Sequence, residues 1–176
     1  MDLVLRFAGP GDVDAIAALH AESWRSSYRG MFPDAFLDGE IHAERRQHWD
    51  RRLRTEPGPD QGVLVATAGG ACLGFTCIYL QAEPAWGPLL DNLHVRPDCK
   101  GMGIGQRLIQ EGLAWVRAQG PFDRWHLWVV EDNAPARRFY EHLGWLPGER
   151  AVHLAPGGAE YACVRHSQRI PAGRER

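Results

Sequence analysis

Apolar residues recur along this chain at two spacings, and the switches between them mark its elements. Residues 3–7 predict a strand, closed by Gly9-Pro10-Gly11. Val13, Ile16, Ala17 and Leu19 then follow helical spacing, with Asp12 as the expected N-cap, so a helix is predicted over 13–24. Residues 26–39 scatter Tyr28, Met31, Phe32, Phe36 and Leu37 among turn formers, which predicts an ordered loop with helical pieces. Ile41, Trp49 and Leu53 share one side of a second helix over 41–54, with charges opposite. The Pro- and Gly-rich stretch 56–62 reads as a loop, because short strands on either side continue one pattern. Strands at 63–66 and 72–80 are joined by Gly69-Gly70, a favourable hairpin turn. A strand over 89–95, a helix over 103–119 stopped by Gly120-Pro121, and a strand over 125–130 come next. Asn133 caps a helix that Gly144 ends, and 152–154 pairs with 161–165 across Pro156-Gly157-Gly158. This order predicts a mixed α/β fold around one main sheet.

Length and charge narrow the picture. The 176 residues fit one domain over 1–167, with a polar tail over 168–176 expected to fray. A formal net charge of −2 supplies no global field for nucleic acid or an anionic membrane, so neither is an expected partner. No apolar run approaches the roughly 20 residues of a membrane span. Cys72, Cys77, Cys99 and Cys163 form no Cys-x-x-Cys pair, and the N-terminus carries no secretory signal. Reduced thiols in a cytoplasmic protein are the simplest expectation. No metal-binding signature stands out, and no metal is expected.

The most informative stretch runs from Leu93-His94-Val95 through Lys100-Gly101-Met102-Gly103-Ile104-Gly105-Gln106, three alternate glycines between a strand and a helix. Glycine permits positive φ and close approach of backbone N–H groups. A helix N-terminus adds unpaired donors and partial positive charge, which together suit a phosphate or pyrophosphate. The spacing fits neither a dinucleotide fingerprint, which needs Gly-x-Gly-x-x-Gly directly after its strand, nor a P-loop, which needs Gly-Lys-Ser/Thr.

Leu93-His94-Val95, Pro97 and residues 100–105 resemble the acetyl-CoA signature of the GNAT N-acetyltransferase superfamily: Arg or Gln, two residues, Gly, one residue, then Gly or Ala. Lys100 stands at the Arg/Gln place, keeping the charge without the guanidinium fork. Residues 127–145 are similar to the family's second cofactor segment, with Asn133, Ala136, Tyr140 and Gly144 at its spacing. The order of elements from Leu3 to Arg165 also fits, so the resemblance covers nearly the whole chain. It implies a GNAT acyl-CoA N-acyltransferase-like fold: a mixed central sheet with splayed parallel strands, flanked by helices. It implies acetyl-CoA as cosubstrate, its arm along Leu93, His94 and Val95 and near Asn133. Its pyrophosphate falls on Lys100, Gly101, Met102, Gly103, Ile104, Gly105 and Gln106. The implied reaction is direct attack of an amine, from a small molecule or a peptide, on the thioester. A homodimer is one open oligomeric state.

The resemblance places Tyr140 as general acid, although a Tyr on an amphipathic helix also suits core packing. A phenol near pKa 10 gives its proton to a thiolate near 8.5 only uphill, so a hydrogen bond already assists departure. Many relatives carry a Glu on the first splayed strand where this chain has Leu89. Asp91, two residues on, shares that face and is the candidate base, directly or through water, with a structural Asp as the alternative. Glu22 and His20 are further candidates. Trp24, Tyr28, Phe32 and Trp86, with Glu22, fall on segments that relatives use to bind the acceptor. A lysine-like amine is neutral about once in 2,500 at pH 7, an α-amine about a tenth of the time, so a missing Glu matters more for the former. An acetyl-CoA-binding module with little turnover is the alternative function.

Overall fold

The computed structural model describes residues 2–155 and 158–171. Strand β1 (Val4–Phe7) leads to α1 (Val13–Ser27) and α2 (Ile41–Asp50). Then come β2 (Gln61–Ala68), β3 (Ala71–Glu83) and β4 (Gly87–Val95). They are followed by α3 (Ile104–Gln119), β5 (Arg124–Val130), α4 (Ala134–His142), β6 (Leu146–Leu154) and β7 (Glu160–Arg169). The predicted order of elements is the observed one. A short π-helical segment, Arg51–Thr55, replaces the end of the helix expected over 41–54, and another, Phe36–Glu40, lies in the stretch expected to be a loop with helical pieces.

The seven strands form one sheet in the order β1-β2-β3-β4-β5-β7-β6. All neighbours are antiparallel except β4 and β5. Alternation sorts the side chains by face. Val63, Val65, Phe75 and Cys77 meet Val13, Ile16 and Leu19 of α1 and Trp49 of α2. Leu64, Ala66 and Leu73 point the other way, onto Ile104 and Leu108 of α3. Leu127 and Val129 of β5 pack under Tyr140 of α4 and Trp145.

Three expectations are corrected. Asp12 does not cap α1 through its side chain; its carboxylate accepts from the Gly9 N–H at 2.8 Å and pairs with Arg6 at 2.7 Å. Strand β6 begins at Leu146, well before residue 152. The polar tail does not begin at Gln168. Gln168 and Arg169 pair with Trp125 and Arg124 of β5, and Ile170 is buried. Pro156 and Gly157 of the expected last turn, and residues 172–176, lie outside the described residues.

Candidate active site

The parallel pair β4–β5 meets through a single register pair, Leu89 with His126. Just before it, Gly87 has φ +74°, and a Cβ there would lie 2.3 Å from the Arg124 carbonyl oxygen, so only glycine lets the β3–β4 turn close this tightly on β5. Beyond that junction a cavity of about 650 Å³ opens, walled by Asp91 and Leu93 to Val95 on one side and Trp128 and Val129 on the other. The C-terminal turns of α1, the start of α3 and the start of α4 complete it.

At one end lies the glycine turn. Gly101 and Gly103 have φ +81° and +78°, and a Cβ on either would meet nothing within 4 Å. Their backbone therefore faces open space, in a conformation that costs an L-residue about 1–2 kcal/mol. Gly103 is the N-cap of α3, so the N–H groups of the next residues have no intrahelical acceptor. Gly105 has an ordinary φ; a Cβ there would come within 3.3 Å of Phe139 Cζ, so its smallness serves packing of α3 on α4. Lys100, Gln106 and Ile104 also line this end, whereas Met102 is 56% exposed and does not.

On the α4 side, Asn133 caps its helix by accepting from Ala136 N–H at 3.2 Å, and the same side chain lines the cavity. Tyr140 is 8% exposed and also lines it. Its ring rests edge-on against Trp145 and Phe139. Burial, with Tyr28 adding to it, pushes the Tyr140 phenol well above the ordinary value for tyrosine. The group thus keeps its proton at every physiological pH. Burial likewise pushes Tyr28 up to about 12.

Asp91 lines the opposite wall. It stands outside the β3–β4 register: Cys77 lies opposite Asn92, and the next residue, Ile78, lies opposite Leu90. Its Oδ2 accepts from Arg52 Nη1 at 3.0 Å and from the Asn92 side chain. Arg52 in turn stacks on Tyr79, the register partner of Leu89, so Asp91 and Leu89 share the face that bears α1 and α2. Sequence gave no sign of the Arg52 contact, 39 positions away.

Five expected acceptor or base residues are not brought to the cavity wall. Phe32 is buried against Trp24, Tyr28 and Tyr161. Trp24 packs between Tyr28, Phe32 and the Arg45 guanidinium. Glu22 is half-exposed and pairs with Arg25 at 2.9 Å. Trp86 stacks on Arg165 near His126. His20 is fully buried, its Nδ1 accepting from Trp49 Nε1 at 2.9 Å. Because indole only donates, that bond fixes the His20 tautomer. Instead, Ser23, Ser26 and Ser27 line the cavity from α1, and Ser23 Oγ lies 2.8 Å from His94 Nδ1. Their spacing on one helical face was a signal available in the sequence. Trp128 is another unforeseen wall residue. Its Nε1 donates to Glu83 Oε1 at 3.2 Å, and the Arg165 guanidinium covers its ring at 4.2 Å.

The acetyltransferase (GNAT) family profile matches residues 20–145, from α1 to just past α4. The chain belongs to the acetyltransferase (GNAT) family. Among sequence relatives, it is 38% identical over 100 residues to a mycothiol acetyltransferase of Thermobispora bispora, covering 54% of this chain and 34% of that protein. It is 29% identical over 175 residues to the L-amino acid N-acetyltransferase AaaT of Escherichia coli, covering 96% of this chain and 98% of that one. The chain therefore spans about a third of the first relative's length and nearly all of the second's. A PaiA N-acetyltransferase from Thermoplasma acidophilum, solved with coenzyme A, superposes with a TM-score of 0.73 at 20% identity, covering 93% and 98% of the two chains. The expected GNAT fold is thus the observed one. Among the described residues, no helix is long and apolar enough to cross a membrane.

Proposed function

We propose that this chain transfers the acetyl group of acetyl-CoA to a primary amine, of a small molecule or a peptide, in the cavity between β4 and β5. One observation carries the reading: the open N–H-rich turn at 101–106 and the buried phenol of Tyr140 face a single cavity at the point where two parallel strands part. The relatives named above act, by name, on different acceptors, so family membership leaves the acceptor open.

The residues present suit the cosubstrate. Two glycines whose Cβ positions are empty, a helix N-terminus and Lys100 make a donor set for pyrophosphate. Leu93 and Val95 on β4, with Asn133 opposite, line the path along which an extended arm lies. Bound there, acetyl-CoA supplies a thioester carbonyl and a thiolate leaving group.

The chain's own groups then divide the remaining work. A backbone N–H of residues 93–95 is the donor for the carbonyl oxygen. Asp91 holds the incoming ammonium and takes up the proton that the amine loses, directly or through one water. Its Oδ1 accepts no hydrogen bond from a described residue, which leaves that oxygen available. Tyr140 donates toward the departing sulfur. Its raised proton affinity makes full transfer unfavourable, so its contribution is a hydrogen bond to developing negative charge. Trp128 and Tyr28 exclude water from the amine.

Arg52 on Asp91 Oδ2 is the observation that favours the second reading, a module that binds acetyl-CoA without efficient turnover, because one carboxylate oxygen is already occupied by a guanidinium. A thiol-release assay with an amine panel, read together with mass spectrometry of the amines, decides. Acetyl transfer requires thiol release that depends on amine and equals acetylated product mole for mole. Binding of acetyl-CoA with no amine-dependent release across the panel would leave only the module.

A further inference from the structure

We infer that the acceptor carries its ammonium as the only charge near the reacting nitrogen, so that an amine with a neighbouring carboxylate is disfavoured. The inference rests on the acetyl-transfer reading above and narrows its acceptor.

The acceptor end of the cavity, away from the glycine turn, is formed by Ser23, Ser26, Tyr28, Asp91 and Trp128. Its one charged group is a carboxylate. The seryl hydroxyls lie on the last two turns of α1, where the helix ends at Ser27 and its terminal carbonyls carry partial negative charge. Both features attract an ammonium and repel a carboxylate held beside it.

Recognition of a carboxylate calls for an unpaired guanidinium or ammonium. The cavity lining contains one, Lys100, the only lysine in the chain, and it belongs to the glycine turn. Each arginine around the acceptor end is already paired among the described residues. Arg52 is held by Asp91 at 3.0 Å. Arg25 and Arg29, which flank Ser26 to Tyr28, pair with Glu22 at 2.9 Å and with Asp34 at 3.0 Å, and both reach Asp38. Arg165, behind Trp128, is clamped by Glu83 at 2.7 Å and Glu149 at 2.5 Å. Two nitrogens of these side chains that stay without a partner, Arg165 Nη1 and Arg25 Nε, are buried, and turning the paired ones toward a substrate carboxylate would strip a partner from an existing pair. Ser26 Oγ donates to the Ser23 carbonyl at 3.0 Å and Ser23 Oγ is bonded to His94 Nδ1 at 2.8 Å, so these hydroxyls offer oxygen lone pairs, which suits an amide N–H or an alcohol O–H close to the amine.

The test uses matched pairs that differ only in this group: L-serine against L-serinamide, and L-phenylalanine against L-phenylalaninamide. The kcat/KM for each is compared at equal concentration of neutral amine, so that the lower amine pKa of the amides does not enter. The amide of each pair is expected to be preferred by on the order of 10- to 100-fold, mainly through KM, since like-charge juxtaposition at a binding surface is strongly disfavoured. Asp91→Asn removes the repelling charge and is expected to narrow that gap. Equal or better use of the free amino acids would overturn the inference, as would a gap that Asp91→Asn leaves unchanged. The same pairs titrated by calorimetry into the protein with coenzyme A read the preference without turnover. Preference for the amide in binding with no acetyl product would remove the acetyl-transfer reading and leave only a ligand preference of the cavity. No preference in either measurement removes this one alone.

Discussion

Gly103 gives a prediction whose magnitude follows from geometry. At φ +78° any L-residue pays the left-handed penalty, about 1–2 kcal/mol. Nothing lies within 4 Å of the built Cβ, so no clash adds to it. For a chain of this size 1 kcal/mol shifts Tm by about 2–4 °C, so Gly103→Ala is expected to melt roughly 2–8 °C lower and remain folded. Wild-type protein at an acetyl-CoA concentration of 100 Kd gains about 2.7 kcal/mol, equivalent to a rise of roughly 5–11 °C. In the variant the methyl group occupies the open space that a phosphate has to approach, and Gly103→Val fills more of it. The ligand-induced rise is expected to shrink in the first and vanish in the second. Gly70→Ala is the control: its φ is +80°, it also has open space around its Cβ, and it lies in the β2–β3 turn, away from the cavity. It should show the same backbone penalty with the full ligand-induced rise. Differential scanning fluorimetry with and without acetyl-CoA, with circular dichroism to verify the fold, makes the comparison. A folded Gly103→Val variant with an undiminished rise would refute the pyrophosphate assignment.

Other consequences are as direct. Burial works against ionisation of Glu83, but hydrogen bonds from Arg165, Trp128 and His126 outweigh it and hold the carboxyl at about 2 instead of 4.5. Its stabilising contribution is therefore complete above pH 4.5 and lost as pH falls through about 2, and denaturation curves across that window should be steeper for wild type than for Glu83→Gln. Burial, with Arg52, Arg45 and Arg51 nearby, pushes His48 down to about 3. The unfolded chain then binds more protons between pH 6.5 and 3, so stability is lost as pH drops from 6.5 toward 3, and His48→Gln should flatten the slope. Asn133→Ala removes the cap of α4 and should cost about 0.5–2 kcal/mol by urea denaturation, with weaker acetyl-CoA binding if the same side chain also serves the ligand.

The strands and helices with clean periodicity were legible in the sequence, and so was the glycine turn, because its chemistry is local. What escaped depends on contacts between distant segments. Leu146 to Arg150 contains Pro147 and Gly148 and lacks a buried face, so it reads as a turn; it is a strand because it runs along the sheet edge, where proline is tolerated. Gln168 looks like the start of a solvated tail, yet its amide donates to the Leu143 carbonyl at 2.8 Å and accepts from Trp125 Nε1 at 3.2 Å. The same limit applies at the site. Strand alternation set Asp91 beside Leu89, but only the fold brings Arg52 to its carboxylate and Ser23 to His94. Aromatic content marked Trp24 and Trp86 as acceptor walls, whereas both stack on arginines and do not line the cavity, and Trp128 does.

The most direct test of the catalytic claim is turnover of Tyr140→Phe at saturating acetyl-CoA, measured beside its Kd for acetyl-CoA. The substitution keeps the ring that packs on Trp145 and Phe139 and removes only the hydroxyl. Acetyl transfer is expected to fall by about 10²–10⁴-fold, the range for one acid–base group, with Kd essentially unchanged. Near wild-type turnover, with the chemical step shown to be rate-limiting, would contradict the account and return Tyr140 to packing alone.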